Sequence, residues 1–144
     1  MELSKIVYLP LNKIHEMKEH LSLEPGDWYF LDGDVGAGKT TLIQSLFPDI
    51  TSPTFNYIHQ TSWECWNIIH MDFYRLESQD TLKNMGLDMY FNPATITFVE
   101  WFDKITDEKL FWSLVPKPVR CIKISLIPMD NMREYHIDYF NLNS

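Results

Sequence analysis

The chain has 144 residues, 12 Lys plus Arg against 20 Asp plus Glu, and a formal net charge of −8. A chain of this length builds one hydrophobic core, so residues 1–144 read as a single domain, and 45% hydrophobic with 22% charged residues excludes a disordered or fibrous class. The acidic balance repels a polyanion over most of the surface, which argues against direct high-affinity nucleic-acid binding, and apolar runs such as WYFL and ITFV are far shorter than the roughly 18 residues of a bilayer span.

The opening MELSKIVYLPLNKIHEM carries neither a basic n-region nor a continuous apolar stretch, so a soluble, cytoplasmic protein with no membrane attachment is expected. Leu11, Ile14, Met17, Lys18 and Leu21 recur at helical intervals, closed by Pro25-Gly26. DWYFLDG then reads as a buried strand running into a glycine turn, and KTTLIQSLF as a helix stopped by Pro48. Asn56 to Thr61 and Trp66 to Met71 read as two strands joined at Ser62 to Cys65. A short helix is expected over Gln79 to Met85, ending at Gly86, followed by a β-branched strand in ATITFVEW. VRCIKISLI and REYHIDYF alternate as strands around a turn at Pro128 to Met132. Helices and strands alternating early, then strands alone, predict an α/β fold: a mixed sheet flanked by helices in three layers. Cys65 and Cys121 lack metal-binding spacing and are expected to be buried free thiols. Trp63 and Trp66 fit either an exposed interface patch or core packing.

Gly33, Asp34, Val35, Gly36, Ala37, Gly38, Lys39 and Thr40 form an ungapped G-x-x-x-x-G-K-[ST] run, placed after a strand and before a helix. Glycines let the backbone turn its N–H groups onto phosphate oxygens, and the helix N-terminus adds its positive dipole end. Lys39 is expected to reach the β and γ phosphates, and Thr40 to place its hydroxyl on Mg²⁺. Such a site takes a second metal-side group from an acid ending another buried strand. Asp72 and Glu100 both qualify, and Glu100, ending the more apolar run, is favoured. The arginines are Arg75, Arg120 and Arg133, too few for the phosphate clamps and lid of a typical metabolite kinase. A guanine-reading N-K-x-D does not follow the cradle, since the Asn12-Lys13 pair precedes it and continues as Ile14-His15. ATP is the expected nucleotide.

SPTFNYIH (52–59), HMDFYRLES (70–78), LKNMGLDMYF (82–91) and FVEWFDKI (98–105) follow GDVGAGKTT in the order and spacing of the TsaE family, which the chain resembles over most of its length. That resemblance implies a P-loop NTPase-like fold and a small ATPase supporting threonylcarbamoyladenosine formation on tRNA. It implies Thr40 and Glu100 as Mg²⁺ ligands and Asp72 as an acid needed for activity. Lys39 and Thr41 join the ATP contacts, with Trp101 near the nucleotide and Thr54, in the Ser52 to Phe55 loop, sensing the γ-phosphate. Tyr74 and Arg75 are expected to be structural or partner-facing. The resemblance leaves the base contact open between Asn12 and His15, and the stretch from Phe47 to Pro53 is shorter than the family commonly has.

The implied partners are threonylcarbamoyl-transferase subunits of TsaB and TsaD type, with tRNA reached indirectly through them. An arginine supplied to the transition state is worth roughly 10³ to 10⁵ in rate, so a chain this poor in arginine is expected to turn over slowly until a partner binds. A small-molecule kinase and a nucleotide-sensing adaptor without required hydrolysis are the rival readings.

Overall fold

Seven strands make one mixed sheet in the order β1-β7-β6-β2-β5-β4-β3, in a computed structural model that describes residues 4–34, 36–47, 50 and 57–142. The strands are β1 (Ser4–Pro10), β2 (Asp27–Asp32), β3 (Ile58–Trp63), β4 (Trp66–Asp72), β5 (Thr95–Glu100), β6 (Arg120–Pro128) and β7 (Met132–Phe140). The inner strands β4, β5, β2 and β6 run parallel, and β3, β7 and β1 are added antiparallel at the two sides. Parallel strands need helical crossovers that cover both faces, so their sequences are apolar without alternation. β5, TITFVE, is buried at every position, and β2 at all but its last.

The helices are α1 (Lys18–Leu21), α2 (Lys39–Leu46), α3 (Asp80–Lys83) and α4 (Glu108–Leu114). On one face of the sheet, Leu42, Ile43, Leu46 and Phe47 of α2 and its end pack with Met17 and Leu21 against Tyr29, Leu31, Ile68, Ile96 and Phe98. On the other, Leu82, Leu87, Ile105 and Phe111 meet Trp28, Phe30, Ile69, Met71 and Val99. The result is the three-layer α/β arrangement expected from the sequence. Trp63 and Trp66 are partly buried against the α2-side core, and the Trp66 ring meets Phe47 at 6.1 Å, which favours core packing over an interface patch.

The expected helix over Leu11 to Leu21 is instead a 3-10 segment, Leu11–Met17, continuing into the single turn of α1; Lys13 leaves helical geometry at φ −124°. Cys65 corrects another expectation. It is exposed at the β3–β4 turn, whereas Cys121 is buried and its thiol is pushed up to about 11, chiefly by burial. β1, α4 and the 3-10 turns Leu87–Tyr90 and Phe102–Lys104 were not anticipated by the sequence pattern. α4 is capped by Asp107, whose carboxylate accepts from Leu110 N at 3.0 Å. Among the described residues no helix is long and apolar enough to cross a membrane.

At the N-terminal end of β2, the Asp27 carboxylate is 0% exposed and accepts from Glu24 N, Tyr29 Oη and both Nε and Nη2 of Arg120, the last at 2.7 Å. Burial, with Asp27 beside it, pushes the Tyr29 phenol well above its ordinary range, so it stays a donor. Removing the cation strands a buried carboxylate. Arg120→Met is therefore expected to destabilise the fold by about 3 kcal/mol, read as a lower urea midpoint at unchanged m-value.

Candidate functional site

The C-terminal ends of β2, β5 and β4 meet at one edge of the sheet, where parallel α/β folds place their ligands. Pairing matches Leu31 with Glu100 and Glu100 with Asp72, so β2 delivers the glycine-rich turn directly beside the two acids. Side chains alternate along a strand, which puts Ile68, His70 and Asp72 on one face of β4, and Ile96, Phe98 and Glu100 on the same face of β5. That is the face against which α2 packs.

The turn itself is built on backbone conformations that side chains rarely adopt. Gly36 has φ +83° and Gly38 φ +99°. Ala37 N donates to Asp34 O at 2.9 Å, and α2 begins at Lys39 with Gly38 as its N-cap and no side-chain cap. The first N–H groups of α2 thus lack intrahelical partners and open toward the turn, a ready seat for an anion. Val35 and Thr54, with the rest of Ser52 to Phe55, lie outside the described residues.

Lys39 is 6% exposed; its Nζ donates to Gly33 O at 2.6 Å and stands 3.9 Å from the centre of the Trp101 ring. Trp101 follows Glu100 directly and takes a left-handed conformation, φ 59° and ψ 42°, which turns the chain sharply off the end of β5. Its ring meets Tyr74 at 4.8 Å. The Thr40 hydroxyl donates to Glu100 Oε2 at 3.2 Å. Glu100 is 3% exposed, and the same Oε2 lies 2.5 Å from His70 Nε2. Asp72 is half-buried and accepts from Tyr74 N at 3.0 Å. Burial, ahead of the nearby Glu100 charge, raises the Asp72 carboxyl above the ordinary range.

These groups share a cavity of about 340 Å³ lined by Gly36, Gly38, Lys39, Thr40, Thr41, Asp72, Tyr74, Glu100 and Trp101. Gly33 and Asp34 precede it on the turn, with Asp34 exposed. A larger cavity, about 490 Å³, lies beyond Lys39 and Trp101 and is walled by Phe30, Phe102 and Phe140 with Asp32 and Lys123. Only the smaller one gathers helix N–H groups, a hydroxyl and two carboxylates. Asn12 and His15 are exposed and line neither, and Arg75 is exposed with its carbonyl accepting from Tyr57 Oη at 3.3 Å.

Two residues enter the site that sequence spacing did not assign a role. His70 belongs to the H-x-D-x-Y-R run, so the signal was present but its partner was not visible. Arg133 arrives from the start of β7, its Nε 3.8 Å from the point a Cβ on Gly38 would occupy. Its Nη1 donates to Met129 O and Met132 O. No local pattern announces that approach.

A model of the family described as "Threonylcarbamoyl adenosine biosynthesis protein TsaE" matches residues 11–135. The tRNA threonylcarbamoyladenosine biosynthesis protein TsaE of Haemophilus influenzae is 34% identical over 98 residues, 64% of this chain and 62% of that protein. Its Bacillus subtilis counterpart is 36% identical over 91 residues, 59% of this chain and 56% of that one, so the matches span about six tenths of these relatives. The crystal structure of Bacillus subtilis YdiB superposes with a TM-score of 0.61 at 26% identity, covering 98% of this chain and 87% of the other. A family match across so much of the chain, its glycine turn and both strand-end acids included, means that the chain belongs to the TsaE family.

Proposed function

We propose that the chain binds ATP with Mg²⁺ in the 340 Å³ cavity and hydrolyses it in support of threonylcarbamoyladenosine formation on tRNA, acting on a threonylcarbamoyl-transferase complex of TsaB and TsaD type. The observation that carries the reading is the convergence of Thr40, Glu100 and Asp72 on the uncapped N-terminus of α2. Family membership supports the tRNA pathway. The acidic chain supports tRNA contact through partners.

The residues fit a hard cation. The Thr40 hydroxyl and Glu100 carboxylate are oxygen donors 3.2 Å apart, and among the described residues no three His, Cys, Asp or Glu side chains gather to hold an ion unaided. That suits Mg²⁺, which takes one or two protein oxygens and completes its shell with water and phosphate. When bound, the ion neutralises charge on the β and γ phosphates.

The chain's own groups do the rest. Backbone N–H groups of Gly36 and of Gly38 through Thr41 receive the β-phosphate, and Lys39, leaving the Gly33 carbonyl, pairs with the β and γ oxygens. Asp72 is held by Tyr74 N in an orientation facing the cavity, where it accepts a hydrogen bond from the attacking water. From there Asp72 takes that proton as the bond from the γ-phosphorus to the ADP oxygen breaks. Among the described residues no arginine lines this cavity, and Arg133, whose Nε approaches Gly38, is engaged through Nη1 with the carbonyls of Met129 and Met132. Slow turnover alone follows, with acceleration when a partner completes the site.

Four measurements test this. Lys39→Ala is expected to weaken ATP binding by about 1.5–3 kcal/mol, roughly 10- to 150-fold in Kd by calorimetry, through loss of a charge-assisted contact. Asp72→Asn should leave that Kd within a few-fold and lower the hydrolysis rate by about 10²- to 10⁴-fold. In a phosphate-release assay, the wild-type chain should be slow alone and stimulated by TsaB and TsaD type proteins, with phosphate appearing free in solution. Phosphate on an acceptor would mean a small-molecule kinase. A tRNA-modification assay in which Asp72→Asn still supports the product would mean a nucleotide-sensing adaptor.

A further inference from the structure

His70 is 1% exposed on β4, one strand in from the edge of the sheet, yet its ring makes a single polar contact among the described residues. Nε2 meets Glu100 Oε2 at 2.5 Å, while Nδ1 is buried with no hydrogen-bond partner. A carboxylate only accepts, so Nε2 carries a proton toward Glu100 and Nδ1 is the ring atom left without a partner. An apolar ring would fill the same space without an orphaned nitrogen. Burial therefore does not account for an imidazole at this position, and the bond to Glu100 does.

That bond has a downstream effect. Glu100 Oε2 receives two donors, Nε2–H of His70 from within the sheet and Oγ1–H of Thr40 from α2. Together they fix the carboxylate plane, and the second turns the Thr40 hydroxyl proton toward Glu100 and its lone pairs away from it. We propose that His70 is a positioning residue: through Glu100 it orients both oxygen donors, the carboxylate and the Thr40 hydroxyl, toward a divalent cation carried by the nucleotide. This rests on the magnesium–nucleotide reading of the cavity. Partners of metal-ligating carboxylates typically alter metal affinity 10- to 100-fold when lost.

The test is calorimetric titration of the full chain with ADP, in Mg²⁺ and in EDTA, for wild type, His70→Phe and His70→Gln, with melting curves for each. Wild type is expected to bind ADP more tightly with Mg²⁺. His70→Phe should keep the EDTA affinity and lose roughly 10- to 100-fold in apparent Mg²⁺ affinity. His70→Gln, whose amide nitrogen can stand where Nε2 stands, should recover most of it. If His70→Phe melts below the assay temperature, Gln is compared with His70→Asn, equally polar but too short to reach Oε2. A Mg²⁺ effect in His70→Phe equal to wild type, or Gln no better than Phe or Asn, overturns the positioning role. A wild-type chain with no Mg²⁺ effect overturns the magnesium–nucleotide reading and this inference with it, a result distinct from the other two.

Discussion

Parallel pairing of β4, β5 and β2 is the constraint on which the site depends. A slip of one residue in a strand reverses every side chain to the opposite face. Here Ile96 and Phe98 face the α2-side core while Val99 faces the other, and Phe98 stacks on Tyr29 at 5.2 Å and meets Phe47 at 6.0 Å. Those contacts leave β5 one register, and Glu100 ends on the α2 face as a consequence. The same logic on β4 carries Ile68 and Asp72 to that face. Apolar packing, which has no chemistry of its own, thus sets the position of the carboxylates.

Backbone strain occurs where β5 ends, as it does at Ser22 and Glu64. Trp101 is a bulky residue in the left-handed region, a conformation costing about 1–3 kcal/mol that persists only when its surroundings enforce it. Lys104 N donates to its carbonyl at 3.1 Å, and its ring lies between the Lys39 ammonium and Tyr74. The turn therefore does two things at once: it takes the chain off the strand immediately after Glu100 and inserts an aromatic wall between two cavities of different chemistry. On one side are a hydroxyl, two carboxylates and helix N–H groups, on the other Phe30, Phe102 and Phe140 together with Asp32, Asp103, Glu108 and Lys123.

What the sequence disclosed and what it hid follow from the range of the interactions. The glycine turn was legible because its requirements are local: two residues at positive φ, then a helix start. β5 was legible because both its faces are covered, so its apolar run is continuous. β1 was not, because an edge strand with Ile6 and Tyr8 on its open face shows no polar–apolar alternation to read. α4 is two turns long and buries Phe111 alone, too little for a helical period. The choice between Asp72 and Glu100 was open to sequence reasoning only as far as apolarity goes. Their pairing in register, and the contacts of Glu100 with His70 and Thr40, come from residues 30 and 60 positions away. Arg133 illustrates the same limit, since only the β6–β7 hairpin brings it to Gly38.

The electrostatics of the cavity carry one more step. A cradle of N–H groups with Lys39 attracts an anion, yet Glu100 and Asp72 sit on adjacent strands at its floor, near enough that the Glu100 charge itself adds to the proton affinity of Asp72. Two carboxylates beside a polyphosphate repel it, and each other, in a partly desolvated space where Coulomb terms are strong. A cation between them reverses all three repulsions. The arrangement is thus unfavourable for a nucleotide alone and favourable for a nucleotide that brings a divalent ion, which supports the proposed Mg²⁺–ATP over a metal-free ligand. It also suits the two acids to different duties in the proposed reaction: Glu100, buried and doubly hydrogen-bonded through Oε2, is fixed, whereas Asp72, half-buried, remains open to the cavity.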